Sequence, residues 1–195
     1  LRALSETNFE VKLESALSHI AILVPSVRKA TDHLLKYGFE FGDKDVFDET
    51  NEIYVQGDAH NPLLLIEAKE TGSYRKALEK RGPGIHHIAL DVTDLNLYLK
   101  SLEGSGWLLH LTSVRSIKDL KTAYLARPGF PCLIEVQEKK KLMNGPLFVE
   151  KVHMKFDSGL EKLVKAIGQS DFLKRSEEPT SLQIRGQTIA LQDLC

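Results

Sequence analysis

Two histidines and one carboxylate stand where a packed strand has little use for them. The runs Ser18-His19-Ile20-Ala21-Ile22-Leu23-Val24 and Gly84-Ile85-His86-His87-Ile88-Ala89-Leu90-Asp91 echo each other. In each, a histidine opens an apolar, β-rich stretch, alanine follows two residues later, and a helix-like segment comes next. Strand side chains alternate faces, so His19, Ala21 and Leu23 share one face while Ile20, Ile22 and Val24 share the other. The same parity groups His87 with Ala89 and Asp91 and turns His86 away. Each histidine therefore looks onto a face kept open by alanine, and imidazoles on two equivalent strands can meet. In Cys132-Leu133-Ile134-Glu135-Val136-Gln137 a carboxylate interrupts an apolar strand, on the face opposite Cys132, Ile134 and Val136. A buried carboxylate requires a cation, a hydrogen-bond partner or water. Two imidazoles and one carboxylate converging on a divalent metal satisfy all three groups and leave positions for water or substrate.

The elements that must position these residues follow from the pattern. After the strand at 18–24, Pro25-Ser26 marks a turn and helix start, and Val27, Ala30, Leu34 and Leu35 recur at helical spacing up to Gly38. Phe39-Glu40-Phe41 begins an extended segment, and Asp43, Asp45, Asp48 and Glu49 crowd a following loop. Strands at 53–55 and 63–66 complete a strand, helix, three-strand unit. A short basic helix at 72–81 ends at Gly82-Pro83-Gly84, and the order repeats: a strand at 85–92, a helix from the Thr93-Asp94 cap, and strands at 107–114, 122–126 and 132–137. From His19 to His87 the period is 68 residues, which suits a duplicated domain half and not a solenoid. The tail reads as a strand at 148–156, an amphipathic helix at 159–167 and two short strands within 181–191, joined at Arg185-Gly186. Such a partial unit leaves edges to cover, either on the main body or in a second subunit.

The expected fold class is α+β, with paired βαβββ modules forming a cupped mixed sheet. The divisions are a mobile arm at 1–16, with Phe9, Val11 and Leu13 alternating, module one at 17–69, a linker helix at 70–83, module two at 84–140, and the partial third unit at 141–195, which doubles as a candidate dimerisation element.

Bulk properties narrow the function classes. The 195 residues carry 26 Lys+Arg against 27 Asp+Glu, which offers no basic excess to a phosphate backbone, so nucleic acid is not an expected partner. No apolar run approaches the roughly 20 residues that span a bilayer. Two cysteines, Cys132 and Cys195, make no disulfide framework and suit a reducing compartment, so cytoplasm is the expected location. His33, His60, His110 and His153 read as surface or packing residues.

Residues 17–138 resemble the vicinal oxygen chelate superfamily, the glyoxalase, bleomycin resistance and dioxygenase fold. The nearest likeness is to methylmalonyl-CoA epimerases and glyoxalases. It rests on Ser18-His19-Ile20-Ala21, on Leu78-Glu79-Lys80-Arg81-Gly82-Pro83-Gly84-Ile85-His86-His87-Ile88-Ala89, and on Cys132-Leu133-Ile134-Glu135-Val136. The resemblance implies a cup around a divalent ion (Zn, Co, Mn, Ni or Fe) that two substrate oxygens chelate. It carries His19, His87 and Glu135 onto metal-ligand positions. It also implies an acidic base in the loop around Glu49 or Glu52, with Glu49 the candidate catalytic residue beside Glu135. The family's fourth ligand, usually Gln or Glu, falls at Leu64, which cannot coordinate, and Glu67 nearby has the wrong parity. The glycine-rich segment of the epimerases has no counterpart at 113–121.

The expected function is a metal-dependent isomerase, epimerase or lyase acting next to a carbonyl of a small acid or thioester, with proton transfer through a metal-held enolate. One alternative is an Fe(II) enzyme like the extradiol dioxygenases. The other is a metal-free small-molecule binding protein of the same fold. A homodimer with a small-molecule substrate and no membrane is expected in each case.

Overall fold

A computed structural model describes residues 14–195, with 114–116 and 119 as backbone only. The expected arm at 1–16 lies largely outside the described residues, and its last two positions already belong to the first strand.

That strand, β1 (Ser15–Val24), runs through the middle of an eight-stranded sheet. Helix α1 (Val27–Leu34) follows; the Ser26 side chain caps it by accepting from the Lys29 N–H, and Val27, Ala30 and Leu34 are buried beneath it. A single 3-10 turn then closes at Gly38, whose φ of 73° favours glycine. Strands β2 (Phe41–Val46), β3 (Thr50–Val55) and β4 (Leu63–Ala68) complete the first set. Helix α2 (Ser73–Arg81) leads to β5 (Gly84–Val92), α3 (Leu95–Ser101), β6 (Leu108–Leu109), α4 (Ser113–Leu120), β7 (Thr122–Ala126) and β8 (Leu133–Glu138).

The strand order is β2-β3-β4-β1-β5-β8-β7-β6. β1 pairs parallel with β4, β5 parallel with β8, and β1 antiparallel with β5. The two halves are thus related about the β1–β5 junction, which brings the histidine strands side by side.

The faces of the sheet differ. Ile20, Ile22, Leu63, Leu65, Ile88, Leu90 and Ile134 join the main core, with Leu34 and Leu95 of the helices above them. On the other, cup face, Ala21, Leu23, Leu64 and Ile66 form a separate cluster covered by Tyr74, Ala77 and Leu78 of α2.

The tail folds as β9 (Val149–Met154), α5 (Glu161–Ala166), β10 (Leu173–Arg175), β11 (Ser181–Ile184) and β12 (Gln187–Ala190), in a second sheet of order β10-β9-β11-β12. It packs on its own chain. Val152, Met154, Phe156, Leu163 and Phe172 enter the main core. The Trp107 indole donates to the Leu163 carbonyl at 3.0 Å. Buried Asn61 donates to the Val149 carbonyl at 2.8 Å and accepts from Phe148 N–H at 2.8 Å.

Two expectations change, and one strand is added. The strand read at 107–114 is a strand only at Leu108–Leu109, and a helix starts at Ser113. Leu108, Leu109 and Leu111 are exposed at a sheet edge, so no buried face extends the strand, whereas Ile117 packs against the core from the helix. Asp43 and Asp45 lie in β2, an edge strand that leaves them in water, and not in a loop. The short β10 carries no periodic signal of its own. Among the described residues no helix is long and apolar enough to cross a membrane.

Candidate metal centre

Adjacent rows of the sheet build the site. In one row His19 pairs with Ala89 across β1 and β5, and Ala89 pairs with Glu135 across β5 and β8. In the next, Leu64 pairs with Ala21 and Ala21 with His87. Each alanine is the low point between two larger side chains, so the side chains lean together over it. The His19 Nε2 and His87 Nε2 atoms stand 3.1 Å apart. Glu135 Oε2 lies 3.1 Å from His87 Nε2 and 3.7 Å from His19 Nε2. All three residues are buried, and among the described residues no other three His, Cys, Asp or Glu side chains converge in this way.

These distances suit one ion. Ligand atoms about 2.0–2.2 Å from a metal are separated by about 3.0 Å at right angles and about 3.5 Å at the tetrahedral angle. The donor set also suits it, since the His19 imidazole is held neutral and the Glu135 carboxyl is ionised. Burial and the neighbouring His87 lower the His19 pKa from 6.5 to about 4. For Glu135 burial pushes upward, but hydrogen bonds from His87, Tyr124 and Gln137 outweigh it and hold the pKa at about 2. Tyr124, opposite Glu135 on β7, donates to Oε1 at 2.8 Å, leaving Oε2 for the histidines. Burial and the Glu135 charge raise the Tyr124 phenol, so it stays a donor.

Other positions read from sequence sort out differently. Leu64 is in register for a fourth ligand but packs in the apolar cluster under α2. Glu67 points to the opposite face, where it accepts from Val27 N–H at 2.7 Å and from the Asn51 amide at 3.0 Å, serving the start of α1. Glu49 accepts from the Ser73 N–H at 2.9 Å and the Ser73 hydroxyl at 3.0 Å, so its carboxylate caps α2. Glu52 is half-buried on β3, two residues before Tyr54 of the cup face, and accepts from the Thr50 hydroxyl at 2.7 Å. Burial, then the charges of Glu52 and Glu135, raise both the Tyr54 and Tyr74 phenols, so the two carboxylates act on one group of side chains.

His86 departs from its expected orientation. Ala21 pairs with His87 but Ile22 pairs with Ile85, so His86 is the extra residue of a β-bulge. The bulge turns its ring toward Tyr74, with centroids 4.8 Å apart, and toward His87. Sequence parity misses this residue, as it misses Tyr124, because neither a bulge nor a cross-strand partner leaves a periodic mark.

A family model for the Glyoxalase/Bleomycin resistance protein/Dioxygenase superfamily matches residues 18–124. Similar solved structures include a hypothetical protein from Bacillus halodurans, at 22% identity and TM-score 0.55, covering 68% of this chain and 99% of that one. Methylmalonyl-CoA epimerase from Mycobacterium tuberculosis has 24% identity and TM-score 0.50, covering 63% and 87%. A Streptomyces coelicolor methylmalonyl-CoA epimerase variant in complex with 2-nitronate-propionyl-CoA has 20% identity and TM-score 0.50, covering 67% and 98%. At these identities the likeness is one of fold. No curated protein matches the sequence.

Proposed function

Because the chain belongs to the glyoxalase/bleomycin resistance protein/dioxygenase superfamily, we propose that His19, His87 and Glu135 hold one divalent metal ion in an enzyme that moves a proton next to a carbonyl. The substrate is a small acid or thioester. The observation that carries this reading is the convergence of three ligand atoms from three adjacent strands, within 4.8 Å of one another. When bound, the ion supplies Lewis-acid polarisation of a substrate carbonyl. Around it, Tyr124 holds one Glu135 oxygen so that the other faces the histidines. Glu52 takes the proton from the carbon beside the carbonyl and returns it. It is preferred to Glu49 because it shares the Tyr54 face of β3, whereas the Glu49 carboxylate is turned to the start of α2. The epimerase neighbours make methylmalonyl-CoA a natural first substrate to test.

A second reading is supported by Leu64. Two histidines and one carboxylate without a fourth protein ligand suit the facial triad of Fe(II) oxygenases. The exposed Leu108 and Leu109 on the β6 edge support a homodimer, which light scattering checks, and the free cysteines support a cytoplasmic location.

The experiment is metal content per chain by plasma mass spectrometry, before and after anaerobic loading with Zn(II), Co(II), Mn(II), Ni(II) or Fe(II). Loaded protein is then assayed for deuterium uptake from D2O into methylmalonyl-CoA and small 2-oxo acids, and for O2 consumption with catechols. About one ion per chain, lost in Glu135→Gln, with deuterium uptake lost in Glu52→Gln, is expected. O2 consumption with Fe(II) alone transfers the assignment to the second reading. No ion under any loading overturns both and leaves a metal-free binding protein.

A further inference from the structure

The bulge at His86 gives His87 a second contact. Its Nε2 faces the candidate metal position, 3.1 Å from both His19 Nε2 and Glu135 Oε2. Its Nδ1 lies 2.9 Å from His86 Nδ1, with the rings 5.2 Å apart and nearly perpendicular. Tyr74 packs against His86 and fixes it in turn. We propose that His86 is a positioning residue for the metal, accepting a hydrogen bond from His87 Nδ1–H and so aiming the His87 Nε2 lone pair at the His19–Glu135 position. The proposal rests on reading the triad as a metal site.

Proton counting supplies the argument. A hydrogen bond between two neutral imidazole nitrogens contains one proton, so one ring donates and the other accepts. A metal takes the lone pair of His87 Nε2, which leaves the His87 proton on Nδ1 as the donor. His86 then accepts at Nδ1 and carries its own proton on Nε2. Before metal binding the opposite arrangement is available, with His87 Nε2–H donating to Glu135 and His86 Nδ1–H donating to His87. Uptake therefore switches the tautomers of both rings together, and the number of protons on the pair is unchanged. Groups that orient a ligating histidine in this way are typically worth about 10–100-fold in metal affinity. A strand without the bulge would turn His86 to the opposite face and leave His87 Nδ1 without this partner.

The test is Co(II) titration of the wild-type chain, His86→Phe and His86→Asn, read both as affinity and as the visible absorption of bound Co(II). His86→Phe fills the same space without an acceptor, and we expect about 10–100-fold weaker binding with a changed spectrum. His86→Asn supplies an acceptor oxygen and should recover affinity and spectrum. Equal affinity and spectrum in His86→Phe overturns the proposal, as does equal loss in both variants, which would mark a packing role. Should His86→Phe not fold, 15N NMR of the Zn(II)-loaded wild-type chain decides: a protonated His87 Nδ1 coupled to a bare His86 Nδ1 supports the proposal, and the reverse overturns it. A wild-type chain that takes up no metal defeats the metal reading and this inference with it. Metal uptake indifferent to His86 defeats this inference alone.

Discussion

Tyr124 and Glu135 face each other across β7 and β8, and the phenol donates a 2.8 Å hydrogen bond to Oε1 of the carboxylate. That bond settles which Glu135 oxygen turns to the histidines. Tyr124→Phe keeps the ring and removes the donor. A hydrogen bond to a charged group contributes about 1.5–3 kcal/mol, and the loss falls on both the apo fold and metal affinity. The expected outcome is about 10–100-fold weaker metal binding with unchanged circular dichroism. Calorimetric titration with Zn(II) checks it, and wild-type affinity would remove Tyr124 from the support of the site.

Acid should unfold the metal-free chain through the same residues. His19 has its pKa lowered from 6.5 to about 4, mainly by burial and then by His87, and His86 is lowered to about 3, mainly by burial. In the unfolded chain each takes a proton near pH 6.5, while in the folded chain each refuses it until far lower. Their contribution is fully present above pH 6.5 and is lost as pH falls toward about 4 for His19 and about 3 for His86. Glu135, held at about 2 against 4.5, adds loss in the same direction at still lower pH. Melting temperatures of the apo protein should be level above pH 6.5 and fall steadily below it. A level profile down to pH 4 would mean that the histidines are solvated.

The sequence made part of this readable, and the reason is geometric. Strand parity and a repeated His-x-Ala pattern put His19 and His87 on one face, and a lone carboxylate in an apolar strand drew Glu135 to them. The register that makes Ala89 the common neighbour of His19 and Glu135 belongs to the sheet, so convergence was an expectation until the strands were in place. His86 was misread because one inserted residue reverses parity and only the pairing with β1 reveals it. Glu49 reads as a candidate base because its partner Ser73 lies 24 residues on, beyond β3 and β4, where no local pattern links the two. The strand expected at 107–114 failed for a related reason: its leucines look like core in sequence but lie at the sheet edge, where nothing covers them.

The tail depends on Asn61. Its side chain is 1% exposed and bonds to Val149 carbonyl and to the Phe148 and Val149 N–H groups, joining the loop before β4 to the start of β9. Asn61→Ala removes these three bonds, and although the Phe148 N–H keeps the His60 carbonyl at 3.0 Å, a buried backbone group left without a partner costs about 1–3 kcal/mol. The backbone φ of 53° there also disfavours alanine. Faster amide exchange confined to β9–β12, with lower global stability, is the expected result in hydrogen-exchange mass spectrometry. Uniform exchange across both sheets would show that the tail is secured elsewhere.

Leu64 offers the most direct test of where the proposed metal position lies. It flanks Ala21 opposite His87, as His19 flanks Ala89 opposite Glu135, so the two rows define four corners of which three carry the proposed ligand atoms. Leu64→Gln would supply the fourth. In the apo chain the change is unfavourable, because Leu64 is buried under Tyr74, Ala77 and Leu78, and replacing a buried leucine with a polar side chain costs about 2–5 kcal/mol. In the metal-loaded chain the amide oxygen gains a bond that leucine cannot make. The melting temperature of Leu64→Gln should therefore lie below wild type without metal and rise more than wild type on saturation with Zn(II), since ligand binding to the native state adds to stability. A metal-induced rise no larger than that of wild type would show that the corner at Leu64 does not border the ion. The three-ligand centre would then be a consequence of geometry and not of the residue at 64.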